Sequence, residues 1–281
     1  MDDDQAVLVM RLRAAGCVFA DEEAKVLWRA AANAAQLVQW SDRRVAGEPL
    51  EHIVGSVEFG GHDLAVGPGL FIPRQRTRLV AAIASDEVGA ALRRDPAGAL
   101  FVEAYGGVGP IAAVVRGDHP GVAIGVTDID PAALAYVRTN VGEEARTWVG
   151  AGLGGLPDGV RGAVSVIAAV PPYVPVGERA MMPAEARDYE PFAAHSGGAD
   201  GLAEIGQLLA QVPEWLMAGG VLLVELHRGQ VLGATGIAAA AGLDAAMVTG
   251  HRCYADDGQT AVLVVRSQMS FSPGPSPGSS G

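Results

Sequence analysis

Cysteine is scarce in these 281 residues. Cys17 and Cys253 are too few and too far apart for a disulfide scaffold or a metal site of ordinary ligand spacing. Basic charge is also short, with 20 Lys and Arg against 32 Asp and Glu and a net charge of −12. So acidic a chain argues against broad binding to a nucleic-acid backbone, which needs a basic face. No apolar run reaches membrane-spanning length, and the opening M-D-D-D is acidic where a signal peptide is basic. A reduced, cytoplasmic protein without a membrane partner is the expectation. What the chain does have is apolar bulk. Hydrophobic residues make up 49%, enough at this length for one large domain and a small one around a sizeable core.

The stretch that organises the rest is Val164 to Pro175, V-S-V-I-A-A-V-P-P-Y-V-P. It is an apolar run of strand length that stops at two prolines. Pro171 cannot donate to a sheet ladder, so it ends the strand and puts Tyr173 on a loop at the strand's carboxyl end. In an open parallel sheet, ligands sit at that edge.

In chain order, Ala6 to Ala15 and Asp21 to Trp40 have apolar residues at helical spacing, with Asp21 as a cap and Trp28 and Trp40 as core anchors. Ile53 to Phe59 and His62 to Val66 flank Gly60-Gly61, a hairpin signal, and His52 and His62 lack ligand partners at metal spacing. Pro73-Arg74 opens a helix through Leu79, Val80 and Ile83. Arg76 and Arg78 read as a solvated face, whereas Arg74 is placed to fix a loop or a substrate.

From Ala99 the pattern alternates strand and helix, which builds a parallel α/β sheet. Ala99 to Glu103 is a strand, A-Y-G-G-V-G follows at 104–109, and a short helix runs from Pro110 to Val115. Such a turn lets backbone approach a ligand closely. After the strand Val122 to Val126, Asp128 stands about twenty residues beyond the glycine turn, where an acid can accept from both hydroxyls of a ribose. Asp130-Pro131 caps the next helix, through Leu134 to Asn140. A charged loop and H-S-G-G-A-D-G-L lead to a helix from Ala203 to Leu216 and, after Gly219-Gly220, a strand from Val221 to Leu226. His251 to Tyr254 and Thr260 to Val265 form a hairpin about the D-D-G turn at Asp256, and the tail is low in complexity.

Together, I-P-R, the glycine turn, D-I-D-P-A-A-L…N, P-P-Y-V-P, E-P with G-G-A-D-G-L, and G-G-V-L-L-V-E resemble the HemK/PrmC group of protein-(glutamine-N5) methyltransferases. The resemblance runs from about Glu48 to Val265. It implies a class I fold, Rossmann-like with a mostly parallel seven-stranded sheet, and S-adenosylmethionine as cofactor. Taken with the residue patterns above, the expected organisation is a helical domain at 1–50, a linking β-hairpin at 51–73, the methyltransferase domain at 74–268 and a disordered tail at 269–281.

Carried over by position, Gly107 and Gly109 are expected beside the methionine part of the cofactor and Asp128 on its ribose, with Glu103, Tyr105 and Ile129 also at the cofactor. Pro171, Pro172 and Tyr173 resemble the last three residues of the catalytic N-P-P-Y motif. Arg74, Tyr173 and Glu190 are expected at the acceptor.

Val170 departs from the motif's Asn and has neither donor nor acceptor to orient a glutamine amide. By analogy with losing one preorganised polar group, this removes roughly 10²–10³ in rate for such an acceptor. Glu103 replaces a shorter acid, Tyr105 stands where a small residue is usual and can crowd the cofactor turn, and Ser165 replaces an acid. W-V-G-A-G-L-G-G at 148–155 lacks the acid expected at adenine. Two readings follow. One is a methyltransferase with an altered acceptor, a small molecule or a protein side chain. The other is a catalytically inactive fold that acts as a binding partner or cofactor sensor.

Overall fold

Four short helices open the chain: α1 (Asp3–Ala14), α2 (Ala20–Ala30), α3 (Ala34–Val45) and α4 (Leu50–Val54). The computed structural model describes residues 3–248 and 258–267. Leu8, Leu12, Leu27 and Ile53 collect in a core that belongs to these helices. The run Asp21 to Trp40 is not continuous. Ala31 turns extended at ψ 128°, and the Asn33 side chain accepts from the Gln36 N–H at 3.0 Å to start α3 afresh. Asp21 lies within the first turn of α2 and pairs with Arg13 instead of capping. Trp40 packs on the small core, but Trp28 is 36% exposed and does not belong to it.

The first strand starts later than Ile53, because Gly55 at φ 80° ends α4 only there. Strands β1 (Ser56–Phe59) and β2 (His62–Ala65) pair antiparallel about Gly60 and Gly61, both at positive φ. Their buried Val57, Phe59 and Leu64 join the main core. Nε2 of buried His52 lies 2.9 Å from the Leu70 carbonyl. The helix expected from Pro73 starts later too. Arg74 is extended (φ −97°, ψ 136°), a single 3₁₀ turn spans Gln75–Thr77, and α5 runs Arg78–Arg94.

The remaining elements alternate. They are β3 (Leu100–Ala104), α6 (Pro110–Asp118), β4 (Ala123–Asp128), α7 (Pro131–Leu134), α8 (Val137–Val141), β5 (Arg146–Val149) and β6 (Val164–Ala169). Then come α9 (Ala184–Tyr189), α10 (Ala203–Trp215), β7 (Leu216–His227), α11 (Val231–Ala240), β8 (Asp244–Val248) and β9 (Thr260–Arg266). The seven strands lie in the order β5-β4-β3-β6-β7-β9-β8. The first five are parallel, and β9 runs antiparallel between β7 and β8. Phe101, Ile124 and Val166 pack on one side with α5 and α6, while Val102, Ile167 and Leu222 pack on the other with α10 and α11. All six residues of β6 are buried, which is why its sequence is nearly all apolar instead of alternating. Ser165 fits there because its hydroxyl accepts from the Leu100 N–H at 3.3 Å and donates to the Met217 sulfur.

The helix expected over Leu134 to Asn140 is two pieces, α7 and α8. Strand β7 begins at Leu216, with a register shift opposite Val164 and Val166 where Gly219-Gly220 turns the chain. Helix α11 and strand β8 have no counterpart in the sequence reading. The strand at His251 to Tyr254, Cys253, the turn at Asp256 and the 269–281 tail lie outside the described residues. Among the described residues no helix is long and apolar enough to cross a membrane.

Candidate active site

Both sheet halves end at one cleft on the carboxyl edge of β3, β4 and β6. It encloses about 1060 Å³, with open solvent at its mouth included. The glycine turn forms one half. Glu103, only 2% exposed, accepts from the N–H groups of Ile111 (3.1 Å) and Ala112 (2.7 Å) and so caps α6 from inside. Burial pushes its carboxyl up to about 8, and those two N–H groups work against the rise. Glu103 therefore holds the turn rather than offering a free carboxylate.

Tyr105 sits at φ 53°, the left-handed region, a strain of about 1–2 kcal/mol for a residue with a Cβ. Its ring swings toward α10, where the hydroxyl donates to Glu204 at 3.1 Å. The expected crowding of the turn is thereby relieved, although the residue still lines the cleft. Gly107, at φ 52°, has nothing within 4 Å of where a Cβ would stand. Its backbone is open to a ligand. Gly109 does not line the cleft: it is the residue before α6, it donates to the Gly106 carbonyl at 2.8 Å, and Val141 packs where its Cβ would be.

Asp128 closes this half. One carboxylate oxygen accepts from the Gly107 N–H at 2.8 Å and the other from the Asp130 N–H at 2.9 Å. Burial pushes this acid up, and the backbone donors pull it back. Asp130 caps α7 as expected, accepting from the Ala132 N–H at 2.8 Å. Ile129 is 65% exposed at the cleft edge. An acid, an open glycine and a helix N-terminus thus meet as a nucleoside-bearing cofactor would need. At the end of β5 the Trp148 indole lies across Gly125, and the turn after it carries no acid.

The V-P-P-Y segment forms the other half. It leaves β6 extended and is held from behind by the G-G-A-D-G segment. Val174 donates to the His195 carbonyl and accepts from the Gly197 N–H, both at 2.9 Å, and Gln230 donates to the Tyr173 carbonyl at 2.8 Å. Any Cβ at Gly197 or Gly201 would stand 2.7 Å from the Pro172 carbonyl oxygen or 2.3 Å from that of Tyr173. Glycine is required by this close approach.

The Tyr173 hydroxyl donates to buried Glu225 at 3.0 Å and accepts from Arg76 at 3.1 Å. Burial pushes the Tyr173 hydroxyl up, reinforced by Glu225 and opposed by Arg76. Burial also raises Glu225, against the pull of Arg76, Thr77 and Tyr173. Burial works against the Arg76 charge, but Tyr173 and Glu225 outweigh it and raise that group. Arg76 is therefore a site residue and not part of a solvated face, and Glu225 is one the sequence reading passed over although it ends the quoted G-G-V-L-L-V-E.

Arg74 reaches the cleft wall as expected and donates to both oxygens of Glu190, at 2.5 and 2.6 Å. Glu190 itself does not line the cleft. Its side chain is 1% exposed behind Arg74 and lies 3.0 Å from Nε2 of His195. His195 and Phe71, whose rings are 5.5 Å apart, do line the cleft, and neither stood out in the sequence. Val170 lines it beside Pro171 and Pro172, so the motif's one substituted position faces the site.

The strand order, the helices on both faces and the cleft at the carboxyl edge define a class I methyltransferase fold. Two solved structures share it: the hMettl16 catalytic domain in complex with a MAT2A 3′UTR hairpin (TM-score 0.56, 11% identity, 83% of this chain and 80% of that one) and a methyltransferase from Pyrococcus furiosus (0.50, 15%, 84% and 98%). No family model matches the chain. It is 35% identical over 189 residues to the release factor glutamine methyltransferase of Geobacter sulfurreducens, covering 67% of this chain and 64% of that protein. The corresponding Streptomyces coelicolor protein is 35% identical over 65% and 64% of the two chains. The 4-amino-L-phenylalanine/4-methylamino-L-phenylalanine methyltransferase of Streptomyces pristinaespiralis is 32% identical over 65% and 62%. The matched stretch thus spans less than two thirds of these relatives' length. Within that span, this chain resembles the HemK/PrmC-like methyltransferases.

Proposed function

We propose that this chain is a cytoplasmic methyltransferase that uses S-adenosylmethionine and acts on an acceptor other than a glutamine amide, on a small molecule or a protein side chain. The supporting observation is one continuous cleft that joins the glycine turn and Asp128 to a V-P-P-Y segment with Val170 in its wall. The cofactor supplies a methyl group on a sulfonium centre. Gly107 would admit its methionine part, Asp128 would hold the ribose and Ile129 would flank the base. On the acceptor side the chain aligns a nucleophile and excludes water, contributions that can account for much of a methyl-transfer barrier.

Valine at 170 leaves an amide without the polar group that would fix its nitrogen. A relative named for 4-amino-L-phenylalanine supports an amine as one class of acceptor. The same reading keeps 1–50 as a helical part, 51–73 as the hairpin and 74–268 as the catalytic part. A second reading, a cofactor-binding protein without catalysis, is favoured by Glu103 and Asp128 already being engaged by backbone N–H groups.

The test is transfer of a labelled methyl group to a Gly-Gly-Gln peptide, to 4-amino-L-phenylalanine and to a phenol. Wild type should label the amine or the phenol and leave the peptide unlabelled. Val170→Asn should raise peptide labelling by roughly 10²-fold. Peptide labelling by wild type that Val170→Asn does not change would contradict the altered acceptor. No labelling of any acceptor despite bound cofactor would favour the second reading.

A further inference from the structure

We propose that His195, oriented by Glu190, is the general base that takes the proton from the methyl acceptor, an inference that rests on the methyltransferase reading above. Beside Val170 the cleft offers few groups that are free to take a proton. Arg74 is committed to Glu190, Arg76 to Tyr173 and Glu225, and the Tyr173 hydroxyl to Glu225. None of these can accept a proton at neutral pH without breaking a buried pair.

His195 differs. Its residue is 8% exposed, it lines the cleft, and its Nε2 lies buried 3.0 Å from Oε2 of Glu190, off the line of a hydrogen bond. Catalytic contacts of this kind commonly tighten only when substrate binds. With Nε2 turned to the carboxylate, the proton of the neutral ring belongs on Nε2, and Nδ1 is left as the acceptor of a ring that lines the cleft. Nδ1 makes no hydrogen bond among the described residues. The groups around the ring are few: Glu190 against Nε2, Arg74 on the far side of that carboxylate, and the Phe71 ring at 5.5 Å. Glu190 thus orients the ring, and Arg74, which donates to both of its oxygens, holds Glu190 in place.

The step balances. The lone pair of an O–H or N–H acceptor attacks the sulfonium methyl carbon, the carbon–sulfur bond breaks and its electron pair neutralises the sulfur. The acceptor's proton passes to Nδ1. A phenol becomes a strong nucleophile as it loses its proton, and an amine sheds a proton once its nitrogen–carbon bond forms, so Nδ1 can receive the proton of either. Valine at 170, which cannot orient an amide, and a histidine–carboxylate pair in the same cleft both suit a phenol or an amine as acceptor.

The experiment uses the full chain with S-adenosylhomocysteine bound. Long-range ¹H–¹⁵N spectra, with His195→Gln for assignment, should show the neutral ring protonated on Nε2 and bare on Nδ1. On 4-amino-L-phenylalanine or a phenol, His195→Gln should lower the rate by about 10²-fold or more at pH 7 and flatten the pH profile on its acidic side. Glu190→Gln should lower the rate less and shift that limb. A ring protonated on Nδ1 overturns the proposal whichever acceptor is turned over. So does a His195→Gln rate within twofold of wild type with an unchanged pH profile. Failure to bind S-adenosylhomocysteine would instead remove the methyltransferase reading itself, so the two failures are distinguishable.

Discussion

At the scale of the residue, the site depends on acids that are buried and engaged. Glu103, Asp128 and Glu225 are all raised by burial, so each favours its neutral form more in the folded chain than in the unfolded one. The sign follows by linkage. Their contribution to stability is full below the ordinary carboxylate range and is lost as pH rises through the folded values, for Glu103 between about 4.5 and about 8. The ligand-free protein should therefore melt at a higher temperature at pH 5 than at pH 8, and Glu103→Gln should reduce that difference. Gln keeps one acceptor for the α6 N–H groups but turns an amide toward the other, so a loss of about 1–3 kcal/mol at pH 5 is expected too. Melting curves across this range check both, and stability that rises from pH 5 to pH 8 would contradict the assignment.

Elements built from local chemistry were legible in the sequence. Proline ended β6 where expected, glycine made the turn after β3, and Asp130-Pro131 started α7. The misreadings have physical causes. Helix α11, V-L-G-A-T-G-I-A-A-A, is small and apolar all round and shows no stripe to detect. The break between α2 and α3 rests on one Asn side chain within an otherwise helical run. The G-G-A-D-G segment was legible as a motif but not as a support, since its role comes from packing against the V-P-P-Y backbone. Gly201→Ala tests that role. The new Cβ would stand 2.1 Å from Nε2 of Gln230 and 2.3 Å from the Tyr173 oxygen, at φ 78°. It should cost about 1–3 kcal/mol in chemical denaturation and lower methyl transfer more than cofactor affinity. An unchanged midpoint and rate would show that the segment does not hold the loop.

Over the whole molecule, the site is assembled from pairs far apart in the chain. Arg74 and Glu190 are separated by 116 residues, Arg76 and Tyr173 by 97, and Arg76 and Glu225 by 149. No local pattern marks such pairs, which is why Arg76 read as a solvated face and Glu225 and His195 went unread while the glycine turn did not. The amino-terminal helices are tied to the same wall. Buried Arg44 of α3 bridges Glu23 of α2 and Glu185 of α9, the helix that leads into Glu190. The most direct measurement is calorimetric binding of S-adenosylhomocysteine to wild type and to Asp128→Ala. The cleft predicts micromolar binding by wild type, weakened at least tenfold in the variant. Absence of binding by a folded wild-type protein would contradict the account.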